Sequence, residues 1–145
     1  MSENANTPEA VLEELDREEC LSLISPGGIG RVAFSGAPGP TVLPVNYRVL
    51  DGTVVFRTRE GGAMDQDLRS GIRGLDIKIA FQVDHIEEAT QEGWSVLIQG
   101  AAHHIPDDEV STVADVDVRP WAGGDRDHYV RVIPVRITGR RIHNL

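Results

Sequence analysis

Residues 41–59 read Thr41-Val42-Leu43-Pro44-Val45-Asn46-Tyr47-Arg48-Val49-Leu50-Asp51-Gly52-Thr53-Val54-Val55-Phe56-Arg57-Thr58-Arg59. Two alternating runs, rich in β-branched and aromatic residues, flank Asp51-Gly52. That dipeptide suits a type I′ turn, which needs positive φ at both central positions. The stretch therefore predicts a β-hairpin with strands over 41–50 and 53–59. With a two-residue loop, Leu50 lies opposite Thr53. Counting outward sets Arg48 against Val55, Tyr47 against Phe56 and Asn46 against Arg57, then Val45 against Thr58 and Pro44 against Arg59. Leu43, Val45, Tyr47 and Val49 share the core face of the first strand. The other face gathers Asn46, Arg48, Arg57 and Arg59. Arginines on adjacent strands repel unless solvated or given an anion, and guanidinium is the side-chain group that grips phosphate with a planar fork. Gly61-Gly62 follows, where backbone N–H groups can turn towards the same point as an anion nest. A phosphate site at the end of the hairpin is one reading; an ordinary solvated sheet face is the other.

Working outward, the same period-2 alternation predicts strands over 30–35, 75–83, 94–105 and 129–142, with Pro134 marking an edge or a bulge in the last. Between 15 and 24 the period is helical. Asp16-Arg17-Glu18-Glu19 has the form of a capping box, Cys20, Leu21 and Ile24 supply an apolar stripe, and Pro26-Gly27-Gly28 ends the helix. A short helix is expected within 60–71, a helical turn within 87–93 and a weak helix over 106–118. Six strands without a βαβ rhythm give a mainly β fold, an antiparallel barrel or sandwich with short helices. Residues 1–14 read as a flexible tail and 15–145 as one domain.

The 145 residues are 40% apolar and carry a net charge of −9, which argues against nucleic acid or an anionic membrane as the main partner. No apolar run is long enough to span a bilayer, and the polar start carries no secretory signal. Cys20 is the sole cysteine; with no internal disulfide to form, a reducing, cytoplasmic setting is expected. Placed on an apolar helix face, it reads as a small buried hydrophobe. His103-His104 cannot chelate one ion from a strand, because adjacent side chains take opposite faces. No metal site is expected. Nor does any serine sit in a patterned Ser-His-Asp context.

An ordered set of motifs resembles the pyridoxamine-5′-phosphate-oxidase-like, FMN-binding split-barrel family, in particular its small actinobacterial-type members. It comprises Leu43-Pro44-Val45-Asn46-Tyr47, Val55-Phe56-Arg57-Thr58, Ala80-Phe81-Gln82-Val83-Asp84, Gly93-Trp94-Ser95-Val96, Arg119-Pro120-Trp121 and Arg126-Asp127. The resemblance implies a six-stranded antiparallel split barrel that forms a homodimer, with FMN in a groove between the two copies. It places Pro44, Val45, Asn46 and Tyr47 along the flavin ring, Arg57 and Thr58 at the phosphate, and Trp94, Trp121 and Arg126 near the groove. In the family the arginine-threonine strand is followed by a Gly-Ser-Lys-like stretch that completes the phosphate grip. Here that stretch is Gly61-Gly62-Ala63, so both side chains are lost, with Arg59, Arg69 or backbone amides left to compensate. Three functions stay open: a flavin-dependent oxidoreductase using FMN, a deazaflavin-binding reductase, and a cofactor-free binding dimer. No side chain is assigned a catalytic role.

Overall fold

The computed structural model describes residues 10–36, 38–58, 77–105 and 128–144. The hairpin that decides the fold forms as its turn chemistry requires. Asp51 and Gly52 have φ of 51° and 73°, and the ladder pairs Leu50 with Thr53, Val49 with Val54, Arg48 with Val55 and Tyr47 with Phe56. These are strands β3 (Gly39–Leu50) and β4 (Thr53–Thr58).

The other strands are β1 (Ala10–Leu15), β2 (Gly28–Gly36), β5 (Ile77–Glu87), β6 (Glu92–His104) and β7 (His128–Asn144), with helix α1 over Arg17–Ile24. Strand order runs β1-β7-β4-β3-β2-β5-β6, and a further β7–β6 pairing closes the ring. Every pairing is antiparallel. Six strands thus make the expected barrel, and β1 is a seventh that the sequence reading does not contain. It occupies residues expected to be a flexible tail and pairs Leu12 with Ile142 and Leu15 with Gly139. A run of six residues with two adjacent glutamates alternates too weakly to be read as a strand. Its pairing is supplied by the far end of the long β7, beyond the stretch that β4 covers.

Two further differences are local. The link expected as a helical turn is a tight β5–β6 hairpin, pairing Glu87 with Glu92 across a turn in which Gln91 takes φ 59°. Pro134 marks a bulge, as expected: the β6–β7 register shifts so that Gly100 faces Pro134 while Gln99 faces Arg136. The helices expected within 60–71 and 106–118 lie outside the described residues. Among the described residues, no helix is long and apolar enough to cross a membrane.

The core fills the barrel with inward residues of all six ring strands. Tyr47 and Phe56 enter from the hairpin, and both pack on Phe81: Tyr47 edge-on at 5.2 Å, Phe56 stacked at 6.2 Å. Val32, Ile98, Val130 and Val132 complete it, each fully buried and worth about 1.5–3 kcal/mol of burial. Helix α1 plugs one end. Asp16 caps it, its carboxylate accepting from the Glu19 N–H at 2.8 Å, and Cys20 and Ile24 are wholly buried. The plug fits because β7 has Gly139 beneath it, where a Cβ would lie 2.5 Å from Cys20 Sγ.

Candidate functional site

The β3–β4 ladder ends at Tyr47–Phe56. Beyond that pair the strands part. Strand β3 continues along β2, with Asn46 on Ile29, Val45 on Gly30 and Pro44 on Arg31. Strand β4 continues along β7, with Arg57 on Tyr129 and Thr58 on His128. The expected pairs Asn46–Arg57 and Val45–Thr58 are therefore not part of the ladder, which opens beyond Tyr47–Phe56. The β3–β4 ladder is thus four pairs long, while β3 runs nine pairs along β2. This opening is the split of the barrel.

Its outer surface is assembled from four strands. Arg48, Val55, Arg131 and His103 form one row across β3, β4, β7 and β6. Arg57 and Tyr129 form the next, with the Arg57 guanidinium carbon 5.3 Å from the Tyr129 ring centroid. Such stacking holds a guanidinium in place. Val55 is fully buried beneath this surface, packed with Ile105, Leu50 and Tyr129. One Arg48 NH group donates to the Tyr47 carbonyl at 3.2 Å. Three guanidinium groups thus lie on one face of a chain with net charge −9. Their planar, always-charged donors suit a phosphate or a carboxylate.

The sequence alone does not join Arg131, Tyr129 and His103 to Arg57. They come more than forty residues away, through pairings that no turn motif announces. The signal was the alternation of Tyr129, Val130, Arg131 and Val132, which gives an aromatic and an arginine the same face.

The remaining candidates divide. Asn46 and Val45 are half-buried and Pro44 is exposed, all three on the β3 lip. Tyr47 is a core residue: only 1% exposed, it donates its hydroxyl to the Ile24 carbonyl at 2.9 Å. Burial pushes its pKa up to about 12, against a smaller lowering by Arg48. Only the backbone of Tyr47 is therefore placed near the opening. Trp94 lies elsewhere, paired with His85 and Arg141. It lines a hollow of about 380 Å³ with Ile86, Gly93, Ser95, Arg140 and Ile142, and no residue of the hairpin lines it. One chain does not bring Trp94 to the split. Gly61, Gly62, Trp121 and Arg126 lie outside the described residues, as do Arg59, Ala63 and Arg69.

Residues 16–141 match the model of the family described as pyridoxamine 5′-phosphate oxidase. The chain belongs to that family. It is 33% identical over 129 residues to the uncharacterized protein Rv0080 of Mycobacterium tuberculosis, covering 89% of this chain and 84% of that one. Among solved structures, it is similar to an FAD-binding protein of Mycobacterium smegmatis, with a TM-score of 0.66 and 28% identity over 92% of this chain and 100% of that one. A second FAD-binding protein, from Mesorhizobium loti, shares the fold at a TM-score of 0.70 and 19% identity, over 90% of this chain and 98% of that one. Such likenesses place the split barrel within the pyridoxamine 5′-phosphate oxidase family fold.

Proposed function

We propose that this family member binds a flavin nucleotide across the β3–β4 split and serves as a flavin-dependent oxidoreductase. The observation that carries the reading is the end of the β3–β4 ladder at Tyr47–Phe56, beyond which Asn46 runs along β2 and Arg57 along β7. The M. smegmatis relative, 28% identical and spanned in full, binds FAD, which makes FAD and FMN the two nucleotides to compare.

The residues present fit the phosphate end of such a ligand. Arg57, stacked on Tyr129, supplies the planar fork, while Arg48 and Arg131 add positive charge on the same face. Asn46 and the β3 backbone from Pro44 to Tyr47 lie where the polar edge of a ring would run. A bound flavin supplies two-electron chemistry of its own, so the protein's part is to anchor the phosphate, orient the ring and exclude water. No acid or base from the chain is required for that, in keeping with the absence of an assigned catalytic side chain.

The test is a titration of the purified chain with FMN, FAD and a deazaflavin, followed by absorbance and by quenching of flavin fluorescence. Saturable binding of FMN or FAD supports the reading. Binding of the deazaflavin alone moves the chain to a reductase of that cofactor. Binding of none overturns the proposal and leaves a barrel without a cofactor, consistent with Gly61-Gly62-Ala63 standing where Gly-Ser-Lys is expected.

A further inference from the structure

The positive face beside the split is longer than one phosphate requires. Across the neighbouring strands β3, β4, β7 and β6 the register sets Arg48, Val55, Arg131 and His103 in one row, with Arg57 and Tyr129 in the next. No acidic residue stands in either row. Arg48 is engaged at its own end: one NH group donates to the Tyr47 carbonyl and lies over Gly27, where a Cβ would collide with it. Arg57, Arg131 and His103 then form a path from β4 to β6. Arg131 is the diagonal neighbour of Arg57, about 7–8 Å away between backbones, and stands directly opposite His103 at about 5 Å. All three are half-buried, and Val55 beside them is fully buried. Contacts between charge and phosphate strengthen where water is thinned in this way.

The direction of the path carries the argument. With the ring edge along Pro44–Tyr47 on β3 and a phosphate at Arg57 on β4, a flavin mononucleotide ends at β4. Past that phosphate, on the line from β3 to β4, the sheet goes on to Arg131 on β7 and then His103 on β6. One phosphate on Arg57 does not call for either. We infer that this path holds a diphosphate, so that the site selects the dinucleotide FAD over FMN, with Arg131 and His103 as the selecting residues. Arg57, stacked on Tyr129, takes the phosphate nearer the ring. The Arg131 guanidinium takes the second with its planar fork, and the His103 imidazole donates one hydrogen bond to it from β6. Arg131 determines specificity because it meets the phosphate that FMN lacks. The inference rests on the flavin reading and goes on to name which nucleotide the site prefers.

Calorimetric titrations of the full chain with FMN and with FAD, at one fixed salt concentration, read the selection. The wild type is expected to bind FAD about tenfold or more tightly than FMN, the worth of one added charge-assisted contact. In Arg131→Ala the ratio of the two affinities should fall towards one. In His103→Ala it should fall severalfold, and this second variant decides the matter if Arg131→Ala loses the wild-type circular dichroism. Arg57→Ala should weaken both nucleotides. A wild type that binds FMN as tightly as FAD would overturn the inference and leave the flavin reading standing. So would a preference for FAD that survives in Arg131→Ala and His103→Ala alike, since it would then belong to the adenosine and not to the second phosphate. Failure of both nucleotides to bind would remove the flavin reading and this inference with it.

Discussion

The Tyr47 hydroxyl donates to the Ile24 carbonyl at 2.9 Å, tying the middle of β3 to the last turn of α1. That bond joins the hairpin bordering the split to the helix that plugs the barrel, and it does so from inside the core. The Ile24 carbonyl also accepts from the Gly27 N–H at 3.0 Å, so removing the hydroxyl does not orphan it. Tyr47→Phe is therefore expected to cost about 1 kcal/mol, the net worth of one buried hydrogen bond, and to lower Tm by a few degrees in calorimetry.

The same tyrosine makes an alkaline prediction. Its pKa is raised from the ordinary value of 10.0 to about 12 in the folded protein, chiefly by burial. The unfolded chain releases the phenol proton first, so the stabilisation is complete below pH 10 and is lost as pH rises towards 12. Denaturant midpoints measured from pH 9 to pH 12 should fall more steeply for the wild type than for Tyr47→Phe. Parallel curves would show that this phenol does not titrate between the two states.

Packing of α1 on β7 rests on the absence of a side chain at Gly139. A Cβ there would lie 2.5 Å from Cys20 Sγ and 3.1 Å from the Ser95 carbonyl. Gly139→Ala is expected to destabilise by about 1–3 kcal/mol through overpacking. Cys20→Ala removes the sulfur, and the double variant should lose clearly less than the sum of the single losses, because the two sites share the clash. Additive losses in urea denaturation would contradict that coupling.

The N-terminus of α1 is held by one side chain. Asp16→Ala removes the acceptor for the Glu19 N–H and is expected to cost about 1 kcal/mol, whereas Asp16→Asn should cost far less. Thermal unfolding of the two variants checks it.

Local chemistry made much of this fold legible. Asp51-Gly52 set the hairpin register for four successive pairs, and the Asp16 cap and the Pro26-Gly27-Gly28 stop bracketed the helix, because each depends on residues a few positions apart. What could not be read was non-local. Strand β1 exists because β7 overruns β4 and offers an edge to pair. Asn46 and Arg57, counted as neighbours, are not paired, because the β3–β4 ladder ends one pair earlier, at Tyr47–Phe56. Arg131 and Tyr129 join Arg57 only through the β4–β7 pairing. Of the site, then, the β3 and β4 contributions were visible as residues, and their separation by the split was not.

The proposed role of Arg57 in gripping phosphate is tested most directly by comparing FMN with riboflavin, which differ by the phosphate alone. Fluorescence titration of the wild type should show FMN bound at least tenfold more tightly than riboflavin, as expected from about 1.5–3 kcal/mol for a charge-assisted hydrogen bond. In Arg57→Ala that ratio should fall towards one, with the wild-type circular dichroism kept. A wild type that does not distinguish the two ligands, or an Arg57→Ala variant that keeps the full ratio, would contradict a phosphate held by Arg57 at the split.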